Sequence, residues 1–147
     1  MKIYIGADHQ GFELKSQLIG FIKHAGYEVE DEGDSKLDPS DDYPVFAARV
    51  VHAMQSSGDP DARGILICGS GQGMCIAANR FSGIRACLGY DRESVRSSRN
   101  DDDANILCLP ASTIKDETAE RIVQTWLDTP FAGAERFKRR IKELDDL

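Results

Sequence analysis

The stretch Leu66–Arg80 reads LICGSGQGMCIAANR and contains the pattern that best predicts the fold. Its apolar start is typical of a buried strand, three glycines follow within five residues, and the remainder is compatible with a helix. Strand, loop and helix in this order form the repeating unit of parallel α/β sheets. Cys68 stands at the end of the strand, directly before the glycines. The stretch therefore predicts a strand–loop–helix unit with a thiol at its turn.

The same alternation of strand-like and helical patterns extends along the whole chain. The predicted strands are Lys2–Ala7, Tyr27–Asp31, Gly64–Cys68, Ile84–Gly89 and Asn105–Leu109. The predicted helices are Gly11–Ala25, Pro44–Ser57, Met74–Phe81, Glu93–Asn100, Lys115–Asp128 and Ala134–Leu147. In the first helix the apolar residues form one broad stripe, and Lys15 and Lys23 are expected to face outward. The turn-rich segment Asp34–Pro44 predicts a surface loop.

This alternation predicts an α/β protein with a five-stranded parallel sheet between two layers of helices, a three-layer α/β/α Rossmann-like fold. We expect residues 1–147 to form a single domain, since this length suffices for one core. In such sheets, ligands bind outside the carboxyl ends of the strands, where the winding direction reverses. Asp8, His9, Cys68 and Ser70 should therefore share one crevice if the first and third strands are neighbours.

Charge and hydropathy exclude several classes of function. The net charge of −7 argues against a broad nucleic-acid-binding face, because that mode of binding requires many cations. No apolar run approaches the ~20 residues of a membrane span. The first residues, MKIYIGADH, lack the apolar core of a signal peptide. We expect a cytoplasmic protein that binds neither nucleic acid nor membranes. If it binds an anionic small molecule, a local cluster of arginines must offset the negative net charge.

The cysteines and histidines indicate neither disulfides nor a metal centre. Cys68, Cys75, Cys87 and Cys108 form no C-x-x-C pair, and free thiols are expected in a chain without a secretion signal. The three histidines are far apart and lack the spacing of zinc ligands. The sequence therefore predicts no metal and no cofactor.

The loop Gly69–Gly73, GSGQG, allows two interpretations. It is neither a Walker A loop nor a dinucleotide fingerprint. Its N–H groups at a helix start could bind negative charge, or its glycines could serve a tight turn alone. Cys68 could be a buried inert thiol, or a thiolate acting as nucleophile or base. A nucleophile would need a partner such as His9, whereas a base acting on carbon needs nearby donors for an enediolate, which this loop could supply.

Two further groups of polar residues could bind an anionic sugar. Asp8 and His9 follow the first strand, where they are either a helix cap with a surface histidine or contacts for sugar hydroxyls and a phosphate. Arg136 and Arg140 lie four residues apart on one face of the last helix. Such a basic run is commonly a solvated face, but two arginines at this spacing can also bind one phosphate.

Four segments together resemble the ribose-5-phosphate isomerase B family, which includes galactose-6-phosphate isomerase subunits. They are GADHQGFELK (6–15), DDYPVFA (41–47), ICGSGQGMCIAANR (67–80) and PFAGAERFKRRI (130–141). The resemblance covers essentially the whole chain. It implies a metal-free homodimer or homotetramer with shared active sites, which interconverts aldose and ketose phosphates through a cis-enediolate. It also implies that the last helix, about residues 134–147, reaches the partner subunit.

The resemblance assigns roles to the residues of the glycine-rich loop. Cys68 is implied to be the base that moves a proton between the first two sugar carbons. Ser70 and the N–H groups of Gly69, Gly71 and Gly73 are implied to stabilise the enediolate. The expected reaction is thus the conversion of ribose 5-phosphate to ribulose 5-phosphate.

The remaining implied contacts come from both subunits. Asp8 is implied to bind sugar hydroxyls, and His9 and Tyr43 to line the pocket. Arg136 and Arg140 are implied to reach the phosphate from the partner subunit.

The sequence departs from the family pattern at two places. Family members commonly read R-x-H-N-[DN]-A-N before the fifth strand, and the histidine opens the furanose ring. Residues 99–105 read RNDDDAN, with Asp101 at the histidine position and Asp102 at the position of the substrate-binding asparagine. After that strand, Ser112 stands where a phosphate-binding arginine is common. Met74 occupies the position of a glutamate base found in some members, so the cysteine version of the mechanism is implied.

These departures leave the substrate open. Either Asp101 or His9 takes over ring opening, or the substrate needs no opening. A tetrose 4-phosphate fits the second case, because its C4 oxygen carries the phosphate and cannot close a furanose. The sequence is also compatible with an isomerase of a hexose 6-phosphate, with a catalytically weak sugar-phosphate sensor and, more remotely, with a cysteine hydrolase.

Overall fold

Five strands form one parallel sheet in the computed structural model, which describes residues 1–147. The strands are β1 (Lys2–Ala7), β2 (Glu28–Asp31), β3 (Arg63–Cys68), β4 (Ala86–Leu88) and β5 (Ile106–Pro110). The helices are α1 (Phe12–His24), α2 (Tyr43–Ser56), α3 (Gln72–Ala78), α4 (Arg92–Asp102), α5 (Asp116–Asp128) and α6 (Glu135–Asp145). None of these helices is long and apolar enough to cross a membrane. The predicted five-stranded parallel sheet is confirmed.

Helices cover both faces of the sheet, because successive strand residues point to opposite sides and both sides are apolar. On one face, Ile3 and Ile5 of β1 pack with residues of α1, α4 and α5, including the fully buried Trp126. On the other face, Tyr4 packs with residues of α2 and α3, including Phe46. The predicted three-layer α/β/α arrangement is therefore confirmed.

The predicted boundaries differ from the observed ones by at most three residues, and the largest difference is at the end of α3. The helix was expected to continue to Phe81, but it ends at Ala78. Asn79 binds the backbone of Ala86 with both groups of its side-chain amide, at 2.8 and 2.9 Å. This pair of hydrogen bonds ends α3 and also fixes where the edge strand β4 begins.

The prediction that Lys15 faces outward is wrong, whereas Lys23 is exposed as expected. Only 1% of Lys15 is accessible, and its Nζ donates to both carboxylate oxygens of Asp31 at 2.8 Å and to the carbonyl of Asp34 at 3.0 Å. The stem of Lys15 can pack among apolar side chains because its charged end has these three acceptors. The ion pair fixes the beginning of the long loop between β2 and α2.

The strand order β2-β1-β3-β5-β4 places the reversal of winding between β1 and β3. These two strands pair along their length, from Ile3 opposite Arg63 to Ala7 opposite Ile67. Their carboxyl ends are therefore adjacent, and the residues that follow them meet at one edge of the sheet. The rule for parallel sheets puts a binding crevice at this point.

Candidate active site

A crevice of about 390 Å³ opens at the carboxyl ends of β1, β3 and β5. Its walls consist of Asp8, Gln10, Tyr43, Cys68, Gly69, Ser70, Gly73, Ser112 and Thr113. Six of these nine residues are predicted site residues: Asp8, Tyr43, Cys68, Gly69, Ser70 and Gly73. The prediction that Asp8, His9, Cys68 and Ser70 share one crevice is therefore confirmed for Asp8, Cys68 and Ser70, whereas His9 is not among the lining residues.

Cys68 is the last residue of β3, with only 5% of its surface accessible. The backbone N–H of Gly71 donates to its Sγ at 3.2 Å. A donor aimed at the sulfur stabilises negative charge there. The N–H of Gly71 was expected to serve the enediolate, but in this structure the thiol accepts its hydrogen bond.

The conformation of the loop requires glycine at Gly71. Its φ of +72° is in the left-handed region, and a Cβ at this position would come within 2.5 Å of Leu88 Cδ1. The chain therefore turns sharply after Cys68 and enters α3. The same turn brings the hydroxyl of Ser70 to the crevice, where it accepts a hydrogen bond from the N–H of Gln72 at 3.3 Å.

Asp8 lies between the sheet and the start of α1, with 5% of its surface accessible. Its Oδ1 accepts hydrogen bonds from the N–H groups of Gln10 at 2.9 Å and Gly11 at 3.2 Å. Burial raises the pKa of Asp8, and these two donors offset only part of that increase. Asp8 is not the N-cap of α1, because that position is Gly11. Its carboxylate instead accepts two N–H groups of the turn before the helix and also faces the crevice.

Tyr43 and Gln10 cover opposite parts of the glycine-rich loop. A Cβ on Gly73 would lie 2.7 Å from the ring of Tyr43, so the ring packs directly on that glycine. A Cβ on Gly69 would overlap the side-chain amide of Gln10. Glycine is therefore needed at both positions so that these side chains can approach the loop.

Sequence reasoning missed three residues of the crevice or its rim. Gln10 and Thr113 line the crevice, and both could have been found because they follow the ends of β1 and β5. Asp41 could not have been found, because it reaches His9 from the loop before α2, across 32 positions of sequence. Its Oδ1 accepts from the backbone N–H of His9 at 2.9 Å and lies 2.7 Å from Nδ1 of the ring.

His9 was expected to line the pocket, but its side chain pairs with Asp41 beside the crevice walls. The hydrogen bond to Asp41 raises the pKa of His9, and the nearby carboxylate of Asp8 raises it further, while burial acts in the opposite direction. A carboxylate can only accept a hydrogen bond, so Nδ1 carries a proton in this pair.

The structure places the other predicted residues in a different part of the chain. Asp101 and Asp102 are the last residues of α4, and Arg136 and Arg140 belong to α6. None of the four lines the Cys68 crevice of the same chain. Arg136 and Arg140 were expected to reach the site from a partner subunit, and this expectation stays a prediction. Asp101 and Asp102 were expected at the site with Cys68, and the single chain does not bring them there.

Asp101, Asp102 and Arg140 nevertheless lie close enough to influence one another. Asp102 lines a separate crevice of about 590 Å³ that includes residues of the α3–β4 loop and the end of α6. Burial and the neighbouring charge of Asp101 raise the pKa of Asp102, while Arg140 lowers it. The guanidinium of Arg136 lies 4.3 Å from the ring centre of Phe137. The end of α4 and the helix α6 thus carry acidic and basic groups close together.

All four cysteines are free, as predicted. Cys75 is half-buried, and its hydrogen bond with Cys108 lowers its pKa to about 7. Burial raises the pKa of Cys87 to about 11. No three side chains of His, Cys, Asp or Glu converge in a way that could hold a metal ion.

Comparisons with known proteins extend over nearly the whole chain. A family model described as Ribose/Galactose Isomerase matches residues 3–144. A probable ribose-5-phosphate isomerase B of Mycoplasma pneumoniae is 42% identical over 137 residues, covering 93% of this chain and 89% of the relative. The ribose-5-phosphate isomerase B of Escherichia coli is 38% identical over 143 residues, covering 97% of this chain and 93% of the relative.

Solved structures agree with these sequence matches. A ribose 5-phosphate isomerase of Thermotoga maritima superimposes with a TM-score of 0.92 at 44% identity, covering 99% of this chain and 98% of the other. The ribose-5-phosphate isomerase B of Mycoplasma genitalium, with bound ribulose-5-phosphate, gives a TM-score of 0.93 at 36% identity, covering 99% and 94%. At these identities the likeness extends beyond a shared fold.

Proposed function

The chain belongs to the ribose/galactose isomerase family, and from this premise we propose that it is an aldose–ketose isomerase that converts ribose 5-phosphate to ribulose 5-phosphate. The observation that carries the proposal is the position of Cys68. Its thiol lies at the carboxyl edge of the sheet, accepts a hydrogen bond from Gly71 and faces a polar crevice. A base that moves a proton between adjacent sugar carbons requires such a position.

Cys68 acts in this proposal on the open-chain form of the sugar. Its thiolate removes the proton from C2, the electron pair of that C–H bond forms a double bond between C1 and C2, and the carbonyl electrons move onto O1. The proton is then delivered to C1, while O1 is protonated and O2 loses its proton to become the new carbonyl. The reaction is an isomerisation, so no cofactor is consumed.

Donors near Cys68 stabilise the negative charge of the intermediate. The Ser70 hydroxyl and the loop N–H groups of Gly69 and Gly73 are the candidates, since the N–H of Gly71 already binds the thiol. The Asp8 carboxylate accepts hydrogen bonds from the sugar hydroxyls. Tyr43 closes the side of the crevice over Gly73.

The phosphate requires positive charge that the crevice walls do not supply. Asp8 is the only charged residue among them, and it is acidic. We therefore propose a homodimer or homotetramer in which α6 of a partner subunit brings Arg136 and Arg140 to each crevice. In the same assembly, the end of α4 of the partner subunit would bring Asp101 and Asp102 of that subunit to the crevice. A cytoplasmic location completes the proposal.

The segment Arg99–Asn105 supports a second candidate substrate. A carboxylate, Asp101, stands where the family pattern has its ring-opening histidine. A tetrose 4-phosphate has no furanose form, so an isomerase for this substrate would not need that histidine. If ribose 5-phosphate is the substrate, Asp101 or His9 must carry the ring-opening protons, and burial in the assembled site would favour this role for an aspartate.

Isomerisation in D₂O tests both the reaction and the substrate. We expect ribose 5-phosphate to give ribulose 5-phosphate with deuterium at C1, because the base exchanges its proton with solvent during the enediolate's lifetime. The ratio of kcat/KM for ribose 5-phosphate and erythrose 4-phosphate identifies the preferred substrate. Binding of either sugar phosphate with neither ketose product nor deuterium incorporation would instead identify a sugar-phosphate sensor and contradict the proposed reaction.

A further inference from the structure

The pair His9–Asp41 lies at the rim of the Cys68 crevice. His9 stands between Asp8 and Gln10, which both line the crevice, and Asp41 lies two residues before Tyr43, which lines it too. The pair thus connects two parts of the crevice wall that come from distant parts of the chain. Residues at this position can influence a bound substrate without belonging to the wall itself.

Asp41 is held firmly in its contact with His9. One carboxylate oxygen accepts from both the backbone N–H and the ring Nδ1 of His9, and only 10% of the Asp41 side chain is accessible. The loop that delivers Asp41 is tied at its other end by the buried Lys15, which donates to Asp31 and Asp34. The contact is therefore a fixed feature of the fold.

The surroundings of His9 favour a charged imidazole. Within the same chain, Asp8, Asp38 and Asp41 are the charged groups that face it, and all three are acidic. The hydrogen bond from the ring to Asp41 has the largest effect and raises the pKa of His9. Because Nδ1 is bound to Asp41, Nε2 is the ring nitrogen that remains available to a ligand.

We propose that Asp41 is a positioning residue that fixes the imidazole of His9 and holds it as a cation, so that Nε2–H binds the phosphate of the substrate. This inference rests on the proposed function, since the ligand is its sugar phosphate. The crevice walls carry no positive side chain of their own, and Ser112 occupies the position where the family pattern has a phosphate-binding arginine. A cationic His9 supplies part of that missing charge from the same chain as Cys68.

The first test measures the pKa of His9 by NMR, in the protein without ligand. The resonance of His9 is assigned by its loss in the His9→Gln variant, since the chain has three histidines. Asp41→Asn keeps an oxygen that accepts from Nδ1–H but removes the charge, so the pKa of His9 should fall. Asp42→Asn is the matched control, because the neighbouring Asp42 is exposed and its side chain makes no capping hydrogen bond. The control should leave the pKa of His9 unchanged.

The second test follows the binding of phosphate and substrate. For Asp41→Asn we expect KM for ribose 5-phosphate near neutral pH to rise about tenfold, with little change in kcat, because a charge-assisted hydrogen bond to the phosphate is lost. KM should rise with pH as His9 loses its proton, and this rise should occur at lower pH in Asp41→Asn. In the His9→Gln background, Asp41→Asn should change KM no further.

Two results would overturn the inference. One is a pKa of His9 that is equal in the native protein and in Asp41→Asn. The other is an increase in KM from Asp41→Asn that is as large in the His9→Gln background as in the native protein. Such an increase would show that Asp41 acts through the loop and not through His9.

A failure of the proposed isomerase activity is recognised separately. In that case, titration with inorganic phosphate should still shift the His9 resonance, and more weakly in Asp41→Asn, whereas equal shifts would also reject the inference.

Discussion

At the scale of single residues, the crevice depends on a thiol and a carboxylate in very different surroundings. Cys68 accepts one backbone N–H at the end of β3, and Asp8 is buried beside it with two N–H donors. Both residues could be identified from the sequence, because they follow the ends of apolar strands and ligands bind there in parallel sheets. The partners of each side chain depend on loop geometry, which the sequence does not specify.

The burial of Asp8 has a cost that a pH series can measure. Burial raises the pKa of Asp8, so its ionised form is less favourable in the folded protein than in the unfolded chain. The resulting loss in the free energy of unfolding is absent at a pH below the ordinary pKa of an aspartate. It is fully present at a pH above the raised pKa of Asp8 in the folded protein. We expect Asp8→Asn, whose Oδ1 still accepts from Gln10 and Gly11, to have a higher Tm than the native protein at neutral pH and to lose activity.

The Tm difference between Asp8→Asn and the native protein should shrink as the pH is lowered toward about 4. Thermal unfolding followed by circular dichroism over this range measures it. A Tm of Asp8→Asn that lies below the native value at every pH would contradict the account of Asp8.

At the scale of elements, the two lysines of α1 show what helical periodicity can predict and what it cannot. The apolar stripe correctly predicts the helix and the exposure of Lys23. It gives the wrong orientation for Lys15, because the acceptors of this side chain, Asp31 and Asp34, come from a strand and a loop 16 to 19 positions away. A polar residue on the inner face of a helix is compatible with burial only when such partners exist, and periodicity contains no information about them.

The same substitution at the two lysines should therefore have different effects. Lys15→Met leaves the carboxylate of Asp31 without its partner and releases the loop before α2, so we expect it to lower the free energy of unfolding by about 2 kcal/mol. Lys23→Met should change it by less than about 0.5 kcal/mol, because Lys23 is exposed. Urea denaturation of the two variants and the native protein measures the difference. Equal free energies of unfolding for the two variants would contradict the role assigned to Lys15.

At the scale of the whole molecule, the candidate residues fall into two groups that a single chain does not join. The strand ends supply Cys68 and Asp8, while α6 supplies Arg136 and Arg140. The fold class and the family were predictable, because strand–helix alternation and four long motifs extend over the chain, and both are confirmed. The relative placement of the two groups was not predictable from composition or periodicity, since it depends on how subunits pack.

Mixing two impaired variants, one without the base and one without a phosphate contact, tests whether the site is shared between subunits. In a dimer formed from one Cys68→Ser chain and one Arg140→Ala chain, one site carries both substitutions and the other carries neither. Random pairing makes half of the dimers mixed, so about a quarter of all sites should regain native activity. The measurement is the rate at a ribose 5-phosphate concentration well below KM, after the two proteins have been unfolded and refolded together, with each variant refolded alone as the control. If the mixture is no more active than its components, the site lies within one chain or Arg140 has no part in it.

The central claim is that Cys68 is the base, and replacing it with serine tests this claim most directly. Serine keeps nearly the size of the side chain, but its hydroxyl is a far weaker acid than a thiol and stays protonated near neutral pH. We therefore expect kcat for ribose 5-phosphate to fall by about 10³-fold while KM changes little. Cys75→Ser is the matched control, because the pKa of Cys75 is lowered to about 7 yet its thiol lies outside the crevice. This control should keep kcat within about twofold of the native value. Near-native turnover in Cys68→Ser, or an equal loss in Cys75→Ser, would contradict the account.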